Sequence, residues 1–162
     1  MSATNRGAVR READFYSTPI KSFEPIIPMI RKLNVPVFEP AQGDGRLVEA
    51  MQNAGVRAFG EDISTGKDFF QRFDYHPCIV TNPPFSLAQE FCDHAIKHAD
   101  HVFMLLRLNF LGSQKRKGWW KSNPPSALFV LSERPDFTGG GGDACDYAWF
   151  YWGGAYHGIH HP

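Results

Sequence analysis

Val35-Pro36-Val37-Phe38-Glu39-Pro40-Ala41-Gln42-Gly43-Asp44-Gly45 is the stretch on which the fold turns. A short apolar run meets a turn carrying two glycines, where the chain can reverse tightly and approach a ligand closely. Beyond it, Leu47, Val48 and Met51 recur at helical spacing and Gly55 supplies the stop. The unit is strand, turn, helix. Working downstream, residues 57–62 form a second strand, and residues 78–81 a third that Asn82-Pro83-Pro84 closes abruptly. Residues 87–99 have a helical pattern with Ser86 as candidate N-cap, and residues 101–106 are a buried strand. Two more apolar runs, 127–131 and 147–152, are joined by a loop containing Gly139 to Gly142. Upstream, residues 23–33 are apolar at helical spacing, interrupted by Pro25 and Pro28, so a helix is expected from about Pro28.

Strands alternating with helices predict an α/β layer with a largely parallel sheet, and the last two runs predict an antiparallel hairpin at one edge. At 162 residues there is room for one domain with a proper core. It is expected over residues 14–152, after a flexible segment 1–13 and before a tail 153–162.

Hydrophobic residues make up 43% and charged residues 21%, the balance of a globular chain. Its 17 basic and 17 acidic side chains cancel, so a nucleic-acid partner would have to be met by a local patch. Cys78, Cys92 and Cys145 form no CxxC pair and read as reduced thiols. No apolar run reaches the ~18 residues that span a bilayer, and the first residues lack the core of a signal peptide. A cytoplasmic protein without membrane contact is expected.

In an open parallel sheet, ligands bind at the carboxyl ends of the strands. Glu39 to Gly45 lies at one such end, without a dinucleotide fingerprint or a phosphate-loop lysine. Alone, it serves equally as a structural turn. Glu61-Asp62-Ile63 ends the second strand; a carboxylate there either accepts both ribose hydroxyls or simply caps the strand. Lys67-Asp68-Phe69-Phe70 offers an acid for an adenine amino group, or a polar turn ahead of core phenylalanines.

Thr81-Asn82-Pro83-Pro84-Phe85-Ser86 carries the chemistry. Consecutive prolines hold their carbonyls in fixed directions. An exocyclic amine is a poor nucleophile because its lone pair is delocalised into the ring. The Asn82 side-chain oxygen and the Pro83 carbonyl could bind its two hydrogens and draw the nitrogen toward tetrahedral geometry. The lone pair would then face a sulfonium methyl for in-line displacement. Phe85 would stack on the base, which in duplex DNA must first be flipped out. Positioning and polarisation would suffice, with no metal.

Taken in order, Glu39 to Gly45, Glu61-Asp62-Ile63, Asp68-Phe69 and Asn82 to Phe85 resemble the motifs of amino-group DNA methyltransferases. Upstream, Asp14-Phe15-Tyr16-Ser17-Thr18-Pro19 resembles that family's N-terminal motif. With Arg134-Pro135 and Tyr147-Ala148-Trp149-Phe150, the chain is similar to short N6-adenine methyltransferase-like proteins of phages and prophages. The resemblance spans roughly residues 14–152. It implies a trimmed Rossmann-like class I sheet, S-adenosyl-L-methionine as cofactor, DNA as partner and the host cytoplasm as location. It further implies that Asn82, Pro83, Pro84 and Phe85 are catalytic. The implied cofactor residues are Phe15, Tyr16, Thr18, Pro19, Glu39, Pro40, Gly43, Gly45, Asp62, Ile63, Asp68 and Phe69. Only five residues separate Asp62 from Asp68, where the family places a helix and a strand, and no stretch is left for a target-recognition domain. Other readings stay open: a lapsed methyltransferase fold that still binds cofactor or DNA, or an amine methyltransferase acting on RNA guanine or a protein glutamine.

Residues 107–121 (RLNFLGSQKRKGWWK) form the marked basic cluster. Arg107, Lys115, Arg116, Lys117 and Lys121 could neutralise phosphates, and Trp119 and Trp120 could stack on a base. The same tryptophans could instead pack on the core. His94, His98 and His101 are spaced like metal ligands on a helix but lack a placed partner, and a packed or solvated histidine face is expected instead. A structural module assembling through the aromatic run 147–152 would be a homo-oligomer.

Overall fold

Four parallel strands build the first half of the protein, seen in a computed structural model that describes residues 17–162. They are β1 (Val37–Glu39), β2 (Ala58–Gly60), β3 (His76–Thr81) and β4 (Ala99–Arg107). Three more strands follow: β5 (Ala127–Val130), β6 (Tyr147–Trp152) and β7 (Gly158–His160). The sheet runs β2-β1-β3-β4-β6-β5-β7. β1 pairs in parallel with β2 and β3, and β3 with β4. β6 is antiparallel to both β4 and β5, with Arg107 opposite Tyr147, and β7 lies parallel to β5. The expected α/β architecture with a largely parallel sheet is present.

Helices cover both faces. α1 (Ile20–Phe23), α2 (Ile27–Leu33), the 3-10 turn Glu24–Ile26 between them and α3 (Arg46–Asn53) supply Phe23, Ile26, Ile30, Leu47 and Met51 to a core that also takes Val37, Cys78, Val80 and Phe103 from the sheet. Pro28 sits in the first turn of α2, where its missing N–H costs nothing. On the opposite face, α4 (Ala88–His98) buries Ala88, Phe91, Cys92 and Ala95 against Ile79, Val102 and Met104. The short α5 (Lys117–Ser122) packs on the same side through Trp119 and Trp120. Among the described residues, no helix is long and apolar enough to cross a membrane.

Three expectations need correction. Ser86 is not the cap of α4. Pro84 enters with ψ of 126°, outside the helical region, the Leu87 N–H bonds the Pro84 carbonyl, and a single 3-10 turn (Phe85–Leu87) precedes the helix. The aromatic run 147–152 is no exposed edge either. Its six residues are all buried, because β6 is inserted between β4 and β5 with both faces covered. The chain beyond residue 152, read as a tail, returns to form the edge strand β7. A three-residue strand with a glycine in it leaves too little alternation to be seen in sequence.

Topology locates the cleft. From β1 the chain passes through α3 to β2 on one side, then crosses back to β3 on the other. The connections therefore diverge between the carboxyl ends of β1 and β3, and such switch points open into ligand crevices.

Candidate active site

A cavity of about 1020 Å³ opens at that switch point. Its size is at the upper end of the range for small-molecule sites, about 300–1,000 Å³. The four segments singled out in the sequence converge on it: Glu39, Pro40, Gly43, Asp62, Ile63, Asp68, Phe69, and Asn82 through Phe85 all line its wall.

The glycine turn forms one side. Gly43 and Gly45 have φ of 54° and 80°, in the left-handed region that glycine adopts without strain. The Gln42 N–H bonds the Glu61 carbonyl and the Glu61 N–H bonds the Glu39 carbonyl, so the turn is sewn to the end of β2. Gly60 permits this close approach. A Cβ there would run into Gln42 Oε1 and lie 2.8 Å from Val48 Cγ2. Gly60 was not singled out in sequence, where its only signal is a glycine two positions ahead of the strand-ending Asp62. Asp44 accepts from Ser17 Oγ at 2.6 Å and pairs with Arg46, tying the first described residue to the turn.

Glu39 is 1% exposed at the end of β1, and one carboxyl oxygen accepts the Ala41 N–H at 3.0 Å. Burial pushes its carboxyl up to about 8, opposed by the nearby Thr81 hydroxyl and the Ala41 N–H, with the Asp62 charge adding to the rise. At neutral pH the carboxyl is largely protonated, able both to donate and to accept. Asp62 is the opposite case. Its partial burial raises the pKa, but hydrogen bonds from Ser64 and Gly43 outweigh that and hold the carboxyl below the usual range. Each Asp62 oxygen accepts one backbone N–H at 2.9 Å, leaving further lone pairs for hydroxyl donors. Neighbouring Glu61 turns away to Arg72, 3.4 Å distant. Asp68 accepts the Phe70 N–H, and Phe69 is buried against Phe38 and Phe91 while still lining the cavity.

The tetrapeptide stands opposite. Asn82 Nδ2 donates to Thr18 Oγ1 at 3.1 Å, across a separation of 64 residues. Asn82 Oδ1 is buried and has no hydrogen-bond partner among the described residues. A buried acceptor without a donor is uncommon in a folded protein. Here it sits on a residue that lines the cavity. Thr18 is 8% exposed and also reaches the cavity wall. Phe85 lies beneath the Arg107 guanidinium, 5.0 Å from its ring centre, with Phe137 and Tyr147 against it. Phe15 and Tyr16 lie outside the described residues, and Pro19 is half-buried at the start of α1 without lining the cavity.

The basic cluster divides. Arg107 ends β4 beside Phe85. Lys115, Arg116, Lys117, Trp119, Trp120 and Lys121 lie away from the cavity, in and before α5. Trp120 stacks on Phe150 and Trp152, Trp119 packs edge-on against Trp152, and the Trp120 indole N–H bonds the Phe110 carbonyl. Those rings belong to the core face. Arg116 lies over Phe110 at 4.0 Å, whereas Lys115, Lys117 and Lys121 are exposed. His94 bonds the Arg72 carbonyl, His98 the His94 carbonyl and His101 the Tyr151 hydroxyl. Among the described residues, no group of three His, Cys, Asp or Glu side chains could hold a metal ion.

The sheet with its switch-point cavity defines the chain as having the class I S-adenosylmethionine-dependent methyltransferase fold, and solved structures bear this out. A Pyrococcus horikoshii protein provisionally called an RNA methyltransferase superposes with a TM-score of 0.67 at 13% identity, covering 86% of this chain and 84% of its own. A Listeria monocytogenes protein, provisionally called a class I S-adenosylmethionine-dependent methyltransferase, gives 0.68 at 12% identity, over 92% of this chain and 66% of its own. The methyltransferase subunit of a type I restriction-modification system from Streptococcus thermophilus gives 0.61 at 14% identity, over 89% of this chain and 47% of its own. The chain thus spans about half the length of that subunit. By sequence, no family model and no curated protein matches the chain.

Proposed function

We propose that the protein transfers a methyl group from S-adenosyl-L-methionine to the N6 amino group of adenine in DNA. The observation that carries this reading is the half-buried Asn82 side chain: anchored at its nitrogen by Thr18, with its oxygen buried and unpaired among the described residues where the cavity meets the Pro-Pro turn. An amine donor is the partner such an oxygen lacks. The residues across the cavity fit the cofactor. Gly43 allows close backbone approach while Gly45, off the cavity wall, lets the turn lead into α3; Asp62 can take ribose hydroxyls, and Asp68 can take an adenine amino group. A cation arriving beside Glu39 would draw its carboxyl back to the ionised form.

When bound, the cofactor supplies an electrophilic sulfonium methyl. The chain's own part is to hold the acceptor. Asn82 Oδ1 and the Pro83 carbonyl accept hydrogen bonds from the two amino hydrogens, returning lone-pair density to nitrogen, which sheds one proton to solvent once it carries the methyl group. Phe85 offers its ring to the base. This is catalysis by placement and by fixed dipoles in a site screened from water. The choice of adenine in DNA rests on the Asn82-Pro83-Pro84-Phe85 resemblance and on the restriction-modification subunit among the fold neighbours. Exposed Lys115, Lys117 and Lys121, which pair with no carboxylate among the described residues, would meet phosphates outside the cavity.

Mass spectrometry of digested DNA from cells expressing the protein tests the reading directly. N6-methyladenine should appear with the wild type and vanish with Asn82→Ala, while calorimetric affinity for the cofactor stays within a few-fold. Methylation retained by the variant would sink the role of Asn82. A methylated base other than adenine, or methylation confined to RNA, would sink the assignment of substrate.

A further inference from the structure

The loop between β5 and β6, residues 131–146, emerges at the same sheet edge as the tetrapeptide. β6 is antiparallel to both β4 and β5, so the carboxyl end of β5 points the same way as the carboxyl ends of β3 and β4. The loop is built rather than slack. The Asp143 N–H closes its base on the Pro135 carbonyl, and Asp136 gathers the N–H groups of Thr138, Gly139 and Gly141 at 2.7–3.1 Å. From this loop Asp143 reaches back to Arg107. The Arg107 Nη2 donates to Asp143 Oδ2 at 3.1 Å and its Nε to the Tyr147 hydroxyl at 2.9 Å, while that hydroxyl donates to Asp143 Oδ2 at 2.6 Å. Thus fixed, the guanidinium lies over the Phe85 ring, and Phe137 from the same loop closes on the ring edge-on.

We propose that Arg107 is a positioning residue for Phe85, aimed by Asp143 and Tyr147, so that the loop 131–146 sets the plane on which the acceptor base stacks. This departs from the reading of Arg107 as a phosphate contact and rests on the methyl-transfer reading only for its catalytic consequence. Two of the guanidinium's donor nitrogens are committed inside the protein and its face is against Phe85. A planar group with a fixed fork of donors suits that double duty, and a lysine does not.

Two variants separate the alternatives: Arg107→Gln removes the charge, and Asp143→Asn keeps it while unpairing the guanidinium. With 4-fluorophenylalanine at position 85, both variants should shift and broaden the fluorine resonance, without any substrate present. In methyl-transfer assays both should lower kcat by about ten- to a hundredfold, the scale of a displaced reacting group. Cofactor affinity should stay unchanged, and so should the slope of log K for DNA against log salt. Arg107→Lys should recover little. A phosphate contact behaves otherwise: Arg107→Gln would flatten the salt slope by about one, and Asp143→Asn would leave kcat intact. That pattern, or a fluorine resonance unmoved in either variant, overturns the proposal. If the wild type transfers no methyl group, the methyl-transfer reading falls, and the resonance alone still decides what Arg107 does.

Discussion

Replacing Thr18 by valine is the sharpest probe of the site, because it removes one hydrogen bond and almost no volume. Thr18 Oγ1 accepts from Asn82 Nδ2 at 3.1 Å in an environment where the threonine is only 8% exposed. A neutral hydrogen bond of this kind contributes about 0.5–1.5 kcal/mol net. If it serves to hold the Asn82 amide where its oxygen can meet an amine, its loss lowers the population of the placed side chain by the corresponding factor. The expected fall in kcat is therefore roughly two- to twelvefold. Initial rates with radiolabelled cofactor would be measured on a DNA substrate at saturation, with cofactor affinity by calorimetry and thermal stability alongside. Thr18→Ser, which restores the oxygen, should recover most of the rate. The reasoning fails if Thr18→Val keeps the wild-type kcat. It fails differently if cofactor affinity drops by the same factor as the rate, for Thr18 would then act on the cofactor and not through Asn82.

Gly60→Ala should destabilise the fold, since the new Cβ meets Gln42 and Val48 well inside contact distance; a loss of about 1–3 kcal/mol in chemical denaturation is expected. Glu39→Gln should flatten the pH dependence of stability. The folded protein holds the Glu39 proton up to about 8, well above the unfolded carboxyl. Its contribution is thus complete in mild acid and is lost as the pH rises toward and through 8. Between pH 5 and pH 8.5 the melting temperature of the cofactor-free wild type should fall more than that of the variant. Parallel curves would contradict the burial argument.

Local signals made much of this legible. The turn around Gly43 and Gly45 announces itself by residue type, and Leu47, Val48 and Met51 mark the face of α3 that is buried. The tetrapeptide and Asp62 likewise stand in the cavity where strand-end reasoning put them. What escaped was set by partners distant in the chain. Nothing near Thr18 names Asn82 as its partner, and nothing near Gly60 shows that Gln42 will press against it. Trp119 and Trp120 sit in a basic stretch that suggests an exposed stacking platform. Only the arrival of Phe150 and Trp152 from β6 packs them, half-buried, against the core. The run 147–152 gave its strand but not its place, because strand order is a property of pairing between segments.

That interior place couples the two halves of the protein. Along β6, Tyr147, Trp149 and Tyr151 enter one core while Ala148, Phe150 and Trp152 enter the other. The Trp149 indole also donates to the Ser22 carbonyl, clasping the α1 layer to the sheet. Neither layer can lose its packing without loosening the strand that both share. A single concerted melting transition is the expected consequence, and the cavity wall is braced by the same strand, since Tyr147 at its start packs against the cavity-lining Phe85.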